Sequence, residues 1–365
     1  MNDDMQAGQT SNPENPGKTE ITCSRGMAGW LASHGISLAF TSYQTGQLFL
    51  IGVQAGGVLS VNQSGFQRAM GLWANEQRLY LAALAQIWRL ENMLKPGERA
   101  NAHFDRCYIP RNAQTTGDLD VHELAVQPGG RVIFVNTSYS CLAELDLMHS
   151  FRPIWKPPFI SRLAPEDRCH LNGMALHEGN PRYVTAVCRS DIVNGWRDRR
   201  AEGGVLIDLG DNRILSEKLS MPHSPRLWNG GLWVLNSGTG HLCRIDPANG
   251  ALEQLAFLPG FLRGLAFHGG TAVVGLSLPR NKSFAGLELD DNLRKKDADP
   301  WCGIQVIDLR NGDVLQWIRL EGFVRELFDV AVVPGVYCPM AIGPQSQEFA
   351  TTVTAVDSYG ALEPS

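Results

Sequence analysis

The sequence predicts an all-β fold, a six-bladed β-propeller with four-stranded blades, on three observations. A short phrase recurs: one or two polar residues, a small apolar run, a turn, then a second apolar run. It is clearest at His122-Glu123-Leu124-Ala125-Val126 and returns at Arg68-Ala69-Met70-Gly71-Leu72, Asn172-Gly173-Met174-Ala175-Leu176, Arg263-Gly264-Leu265-Ala266-Phe267 and Phe328-Asp329-Val330-Ala331-Val332, with a looser copy at Ser224-Pro225-Arg226-Leu227-Trp228. Copies recur roughly every 40 to 65 residues, the spacing of propeller or solenoid units. Four units also carry a third strand ending in an aspartate: Asp146, Asp208, Asp246 and Asp308. Finally, no long stretch keeps a helical hydrophobic period, and 38 glycines supply the tight turns that many strands require.

Taken in order, residues 1–25 are polar and proline-rich and read as a disordered tail. Short β-rich runs follow at 38–43, 47–52 and 58–61. Unit one opens at Arg68 and continues through 78–83 and 86–90; unit two uses 122–126, 131–136 and 141–146. Units three, four and five repeat the plan from Asn172, Arg226 and Arg263. Only 328–333 and 336–342 remain for a sixth unit, so the N-terminal strands are expected to complete it and close the ring. The propeller is thus placed at 26–345 and a C-terminal tail at 346–365. Two insertions, 189–202 and 279–300, fall between second and third strands, where long loops are often functional.

The formal net charge of −5 gives no basic face for nucleic acid, and no apolar run is long enough to span a membrane. The eight cysteines are scattered without a C-x-x-C pair, and the N-terminus shows no signal pattern, which together predict reduced thiols and a cytoplasmic protein.

Strands alternate in direction within a blade, so the starts of the inner strands and the loops joining second to third strands open on one face. Polar residues at those starts meet on the axis although they are far apart in the chain. They are Arg68; Asp120, His122 and Glu123; Cys169, His170 and Asn172; His223, Ser224 and Arg226; Arg263; and Arg325, Glu326 and Asp329. Three of the nine histidines belong to this set, one in each of three consecutive blades. Three imidazoles with a carboxylate suit a divalent transition metal, so His122, His170, His223 and Glu326 are the expected ligands for zinc, manganese, iron or copper. Glu326 and Glu123 are the expected catalytic carboxylates. Arg68, Arg226 and Arg263 offer donor forks to an anionic substrate, with Asn172 and Tyr139 adding hydrogen bonds. The bland alternative is a wet channel lined by polar side chains, with Arg263 paired to Glu326 rather than to a ligand. Cys141 and Cys169 lie near the same face and read as buried thiols ahead of nucleophiles. The phosphate-binding glycine loop, the H-E-x-x-H helix and the G-x-S-x-G elbow are all missing from the sequence.

Several phrases resemble one bacterial family of propeller-like proteins of unassigned function: residues 118–123, 168–173, 221–226, 235–240 and 258–264. The resemblance runs from about Ser24 to Met340 and implies the fold and a shared set of site-face residues, His122, His170, Asn172, His223, Arg226, Arg263 and Glu326. It implies no reaction. A looser similarity links the chain to six-bladed propellers of the gluconolactonase and strictosidine-synthase type. The first of these holds its channel metal with carboxylates and amides, whereas this chain offers histidines.

The sequence therefore points to a metal-dependent lyase, hydrolase or isomerase acting on a small, polar, anionic metabolite in the channel, with a redox role for a bound iron or copper as a variant. The alternative is a non-catalytic binding module that holds a protein or small-molecule partner on the propeller face.

Overall fold

In the computed structural model, which describes residues 18–279 and 286–355, the strands gather into six sheets around one axis. Strand β1 (Thr19–Cys23), helix α1 (Met27–His34) and strands β2 (Ile36–Ser42), β3 (Gln47–Val53) and β4 (Leu59–Gly65) precede the first complete blade. Blade I is β5 (Leu72–Ala74), β6 (Arg78–Ala82), β7 (Gln86–Asn92) and β8 (Arg106–Thr115). Blade II is β9 (Val121–Val126), β10 (Val132–Asn136), β11 (Cys141–Glu144) and β12 (Arg152–Trp155). Blade III comprises β13 (Leu171–His177), β14 (Asn180–Ala186), β15 (Gly204–Asp208) and β16 (Arg213–Leu219). Blade IV follows with β17 (Pro222–Trp228), β18 (Gly231–Asn236), β19 (His241–Ile245) and β20 (Leu252–Phe257). Blade V is β21 (Phe261–His268), β22 (Thr271–Ser277), β23 (Cys302–Asp308) and β24 (Val314–Gly322), with α2 (Glu288–Lys295) inserted before β23. The chain ends with β25 (Val330–Pro334), β26 (Pro339–Ala341) and α3 (Gln347–Thr351).

The ring closes as expected. β25 is the inner strand of blade VI and pairs with β2, so that the first and last parts of the chain share one sheet in the order β25-β2-β3-β4. Two blades gain a fifth strand: β1 pairs antiparallel with β24, and β26 pairs parallel with β8. Thr19–Cys23 is therefore part of blade V, a correction to the tail expected at 1–25. At the other end, α3 brings Phe349 against Cys107 and Ile109, inside the segment read as a C-terminal tail. Residues 1–17 and 356–365 of the expected tails lie outside the described residues.

Burial explains the sheet order. β2, β22 and β23 are buried at every residue because each lies between two neighbouring blades, whereas β4 alternates with exposed positions at a blade's rim. Core clusters accordingly lie between blades, as where Ile133 and Val135 of blade II meet Leu171 and Val184 of blade III. Hydroxyls tie blade to blade near the axis. Thr41 donates to Met70 O at 2.7 Å, Thr137 to Leu171 O at 2.6 Å, Ser237 to Leu262 O at 2.8 Å and Ser277 to Leu327 O at 3.2 Å. Close approach also requires glycine. A Cβ on Gly173 would sit 2.4 Å from Pro225 Cδ, and one on Gly264 (φ +79°) 2.6 Å from Val330 N.

Candidate functional site

Six inner strands deliver their first residues to one mouth of the channel, and the backbone there is unusual. Arg68, Asp120 and His170 precede β5, β9 and β13 with φ of 52°, 52° and 50°, the left-handed region that non-glycine residues seldom occupy. Just inside the start, β9, β13, β17 and β21 each shift register against the second strand of the blade. Such bulges re-aim side chains and recur beside active sites. Here they present His122, His170 and Arg263 to a cavity of about 490 Å³ whose walls also include Trp196 and Phe328, with His223 behind His122.

The imidazoles converge. The rings of His122 and His170 lie 4.7 Å apart, edge to face, and His223 stands 6.5 Å from His122. Asp120, His122 and His170 each offer one ligand atom, and the three atoms lie within 4.8 Å of one another, a candidate metal-binding group. His223 and Glu326 fall outside this group, unlike the ligand set expected from the sequence.

A common device orients all three rings. His122 Nδ1 lies 3.0 Å from Asp120 O, His170 Nδ1 lies 2.8 Å from the Asp167 carboxylate, and His223 Nδ1 lies 2.9 Å from Met221 O. Each partner can only accept, so each Nδ1 carries the proton and each Nε2 keeps a bare lone pair. Thr137 and Ser237, whose hydroxyl protons go to the next blade, complete the cradle on His122 and His223 at 2.8 and 3.1 Å. The Nε2 of His223 is buried with no hydrogen-bond partner among the described residues. Burial pushes His122 down to about 3 and His223 well below the usual imidazole range, with Arg263 adding to both shifts. Neutral imidazoles with protonated Nδ1 and free Nε2 are the form in which histidine binds metals, and carbonyl or carboxylate partners on the far nitrogen are its usual support.

Arg263 faces the same cavity. Its guanidinium lies over the rings of Phe328, Phe261 and Tyr43 at 4.6, 5.8 and 5.9 Å. It makes no hydrogen bond or ion pair among the described residues, and burial pushes it down to about 10. Glu326, its expected partner, instead accepts a short hydrogen bond from the Tyr43 hydroxyl. Arg68 reaches the rim but is held by Asp118 at 2.9 Å and Asp120 at 3.4 Å. The insertion at 189–202 adds Trp196, stacked 4.1 Å from the His170 ring and backed by Arg197. Leu289 and Leu293 of α2 pack into the cluster that contains Trp196, so the two insertions meet over the histidines.

Other expected site residues lie elsewhere. Glu123 and Arg226 form an ion pair farther along the channel, beside a second cavity that contains neither the histidines nor Arg263. There Arg226 also donates to Leu265 O and Pro225 O, and Glu123 accepts from Met174 N. Asp329 accepts from Leu72 N at 2.8 Å, and burial pushes both Glu123 and Asp329 up. This cluster is closed on itself, because the bulge in β17 separates His223 from Arg226. Asn172 accepts from Thr185 at 2.8 Å below the mouth, and Tyr139 packs on Phe151, so neither lines the histidine cavity. Cys141 and Cys169 are fully buried, and burial raises both thiols, Cys141 to about 12, against a nucleophilic role. Sequence reading missed Asp167, Trp196, Tyr43 and Phe328 as site residues, and did not count Asp120 as a ligand. Only Asp167, three residues before His170, left a local signal.

The geometry defines a six-bladed β-propeller with a histidine-lined channel mouth. A family described as a domain of unknown function, DUF4915, matches residues 25–342, and the chain belongs to that family. No curated protein sequence matches it significantly. Among solved structures it is similar to a chain of a nidogen/laminin complex (TM-score 0.53, 13% identity, 82% of this chain and 99% of that one). It also aligns with virginiamycin B lyase from Staphylococcus aureus (TM-score 0.38, 11% identity, 84% and 100%). At these identities the likeness concerns the fold alone. No helix among the described residues is long and apolar enough to cross a membrane.

Proposed function

We propose that the channel mouth is the site of a metal-dependent enzyme of the lyase, hydrolase or isomerase class, acting on a small anionic metabolite. One observation carries the reading: three buried histidines from consecutive blades have Nδ1 tied to an acceptor and Nε2 left bare. A buried acceptor without a partner costs about 1–3 kcal/mol, a cost carried by the Nε2 of His223, and His122 and His170 beside it line the cavity with Asp120, an arrangement that suits a cation. Asp120, His122 and His170 are the proposed ligands, with His223 behind them as an acceptor for a proton of bound water or substrate. The donor set, two imidazoles and a carboxylate, suits zinc, manganese, iron or copper rather than calcium. Such an ion supplies Lewis-acid polarisation of an oxygen or acidifies a bound water. Tyr43 and Glu326, joined by their short hydrogen bond, form an acid–base couple on the opposite wall. Arg263 anchors the anionic group of the substrate. Arg68 screens the rim, and Trp196 keeps water from one face of His170.

Elemental analysis of protein prepared without tag or chelator tests this. The expected result is about one transition metal per chain, lost in His170→Ala and retained in His241→Ala, which removes a buried histidine outside the mouth. A metal-free protein that also takes up no zinc in a calorimetric titration would sink the reading and leave the propeller as a binding module.

A further inference from the structure

Arg263 is the buried cation at the mouth whose donors have no protein acceptor among the described residues. Its nearest carboxylates are engaged elsewhere: Glu326 is held by Tyr43 and Asp120 by Arg68. Phe328, Phe261 and Tyr43 surround the guanidinium at distances where their rings attract its faces. Rings attract the charge but supply no lone pair to its N–H bonds, which stay available at the edge of the planar group. An edge offering two parallel donors matches a carboxylate, whose two oxygens lie in one plane. A phosphate group carries more charge and three oxygens spread in three dimensions. Of the four described arginines that line the cavity, Arg68, Arg197, Arg200 and Arg263, Arg263 is the buried one, and Met70, Met221 and Phe328 also form its walls.

We infer that the mouth selects a carboxylate borne on an apolar body, gripped edge-on by Arg263, with the rest of the molecule lying toward His122 and His170. The inference rests on the reading of the mouth as a small-molecule site and narrows the substrate from any anion to a carboxylic acid. A cavity of about 490 Å³ accommodates an acid with a body of phenyl size.

Calorimetric titration of the full chain with phenylacetate, phenyl phosphate and 2-phenylethanol tests it, using both metal-free and zinc-loaded protein. Phenylacetate is expected to bind saturably, at least about tenfold tighter than the phosphate ester or the uncharged alcohol. Arg263→Lys keeps the charge but loses the fork. It is expected to weaken phenylacetate by about tenfold or more while leaving the thermal unfolding profile unchanged. Absence of saturable phenylacetate binding, equal or tighter binding of the phosphate ester, or unchanged affinity in Arg263→Lys would each overturn the inference. The wild-type comparison decides the matter even if the variant misfolds. The two readings fail separately: carboxylate binding through Arg263 in a protein that takes up no metal removes only the metal centre. A stoichiometric metal without carboxylate preference removes only the inference drawn here.

Discussion

Arg226 and Arg263 stand on neighbouring inner strands of the same channel, yet their surroundings are opposite. Arg226 meets Glu123 and the carbonyls of Leu265, Met174 and Pro225, and Glu123 and Asp329 in turn take backbone N–H groups. Arg263 meets aromatic rings and no acceptor among the described residues. The histidines divide from the lower carboxylates in the same way: Glu123 and Asp329 accept backbone N–H groups, whereas the Nε2 of His223 has no partner among the described residues. Buried polar groups of a structural kind are satisfied within the fold, since leaving them unsatisfied costs stability. The lower cluster is satisfied by the ring itself, and the upper one is the site proposed to act on a ligand.

The comparison breaks most sharply under substitution of the two arginines. Arg226→Met leaves two buried carboxylates without their cation and should destabilise the protein by about 3–5 kcal/mol in chemical denaturation. Arg263→Met removes a cation that has no hydrogen-bonding partner among the described residues, and the same measurement should change by less than about 1 kcal/mol or show a gain. Equal losses would erase the distinction.

Asp167→Asn tests the upper cluster through a residue that orients His170 without joining the proposed ligand group. Metal affinity should fall roughly 10–100-fold while the unfolding midpoint stays nearly constant. A large stability loss with unchanged affinity would instead make Asp167 a structural residue.

pH separates the two ends by sign in metal-free protein. His122 and His223 have depressed values in the fold, so the stability they contribute is present above the ordinary imidazole pKa of about 6.5. That contribution is lost as pH falls toward about 3, the value of His122. Glu123 and Asp329 have raised values, so their contribution is complete at low pH and is lost as pH rises above the ordinary carboxylate range. Glu123→Gln should flatten the alkaline side of the stability profile, and His223→Gln the acid side. Exchanged effects would refute the assignment. The smallest effect belongs to Thr137→Ala, which loses one blade-to-blade hydrogen bond and the hydroxyl on His122. It should cost about 1 kcal/mol and weaken metal binding slightly.

The propeller was legible because its determinants are local and repeated. Each blade carries the same apolar runs and turns, and the shortage of strands after Phe328 required the N-terminal strands to finish blade VI. The presence of His122, His170 and His223 at the starts of inner strands was equally plain. Their meeting with Asp120 and Trp196 was not, because Trp196 comes from an insertion whose path depends on packing against α2.

What the chain alone determined was the period of the blades, the closure of the ring and the place of His122, His170 and His223 at the starts of inner strands. What only the tertiary structure decided was their depth along it. His223 and Arg226 are three residues apart, and Arg263 and Glu326 looked like natural partners. A bulge inside the first residues of β17 sends Arg226 to Glu123, and the Tyr43 hydroxyl takes Glu326. Strand alternation fixes which face a residue occupies only while the register holds, and a single extra residue in the ladder changes it.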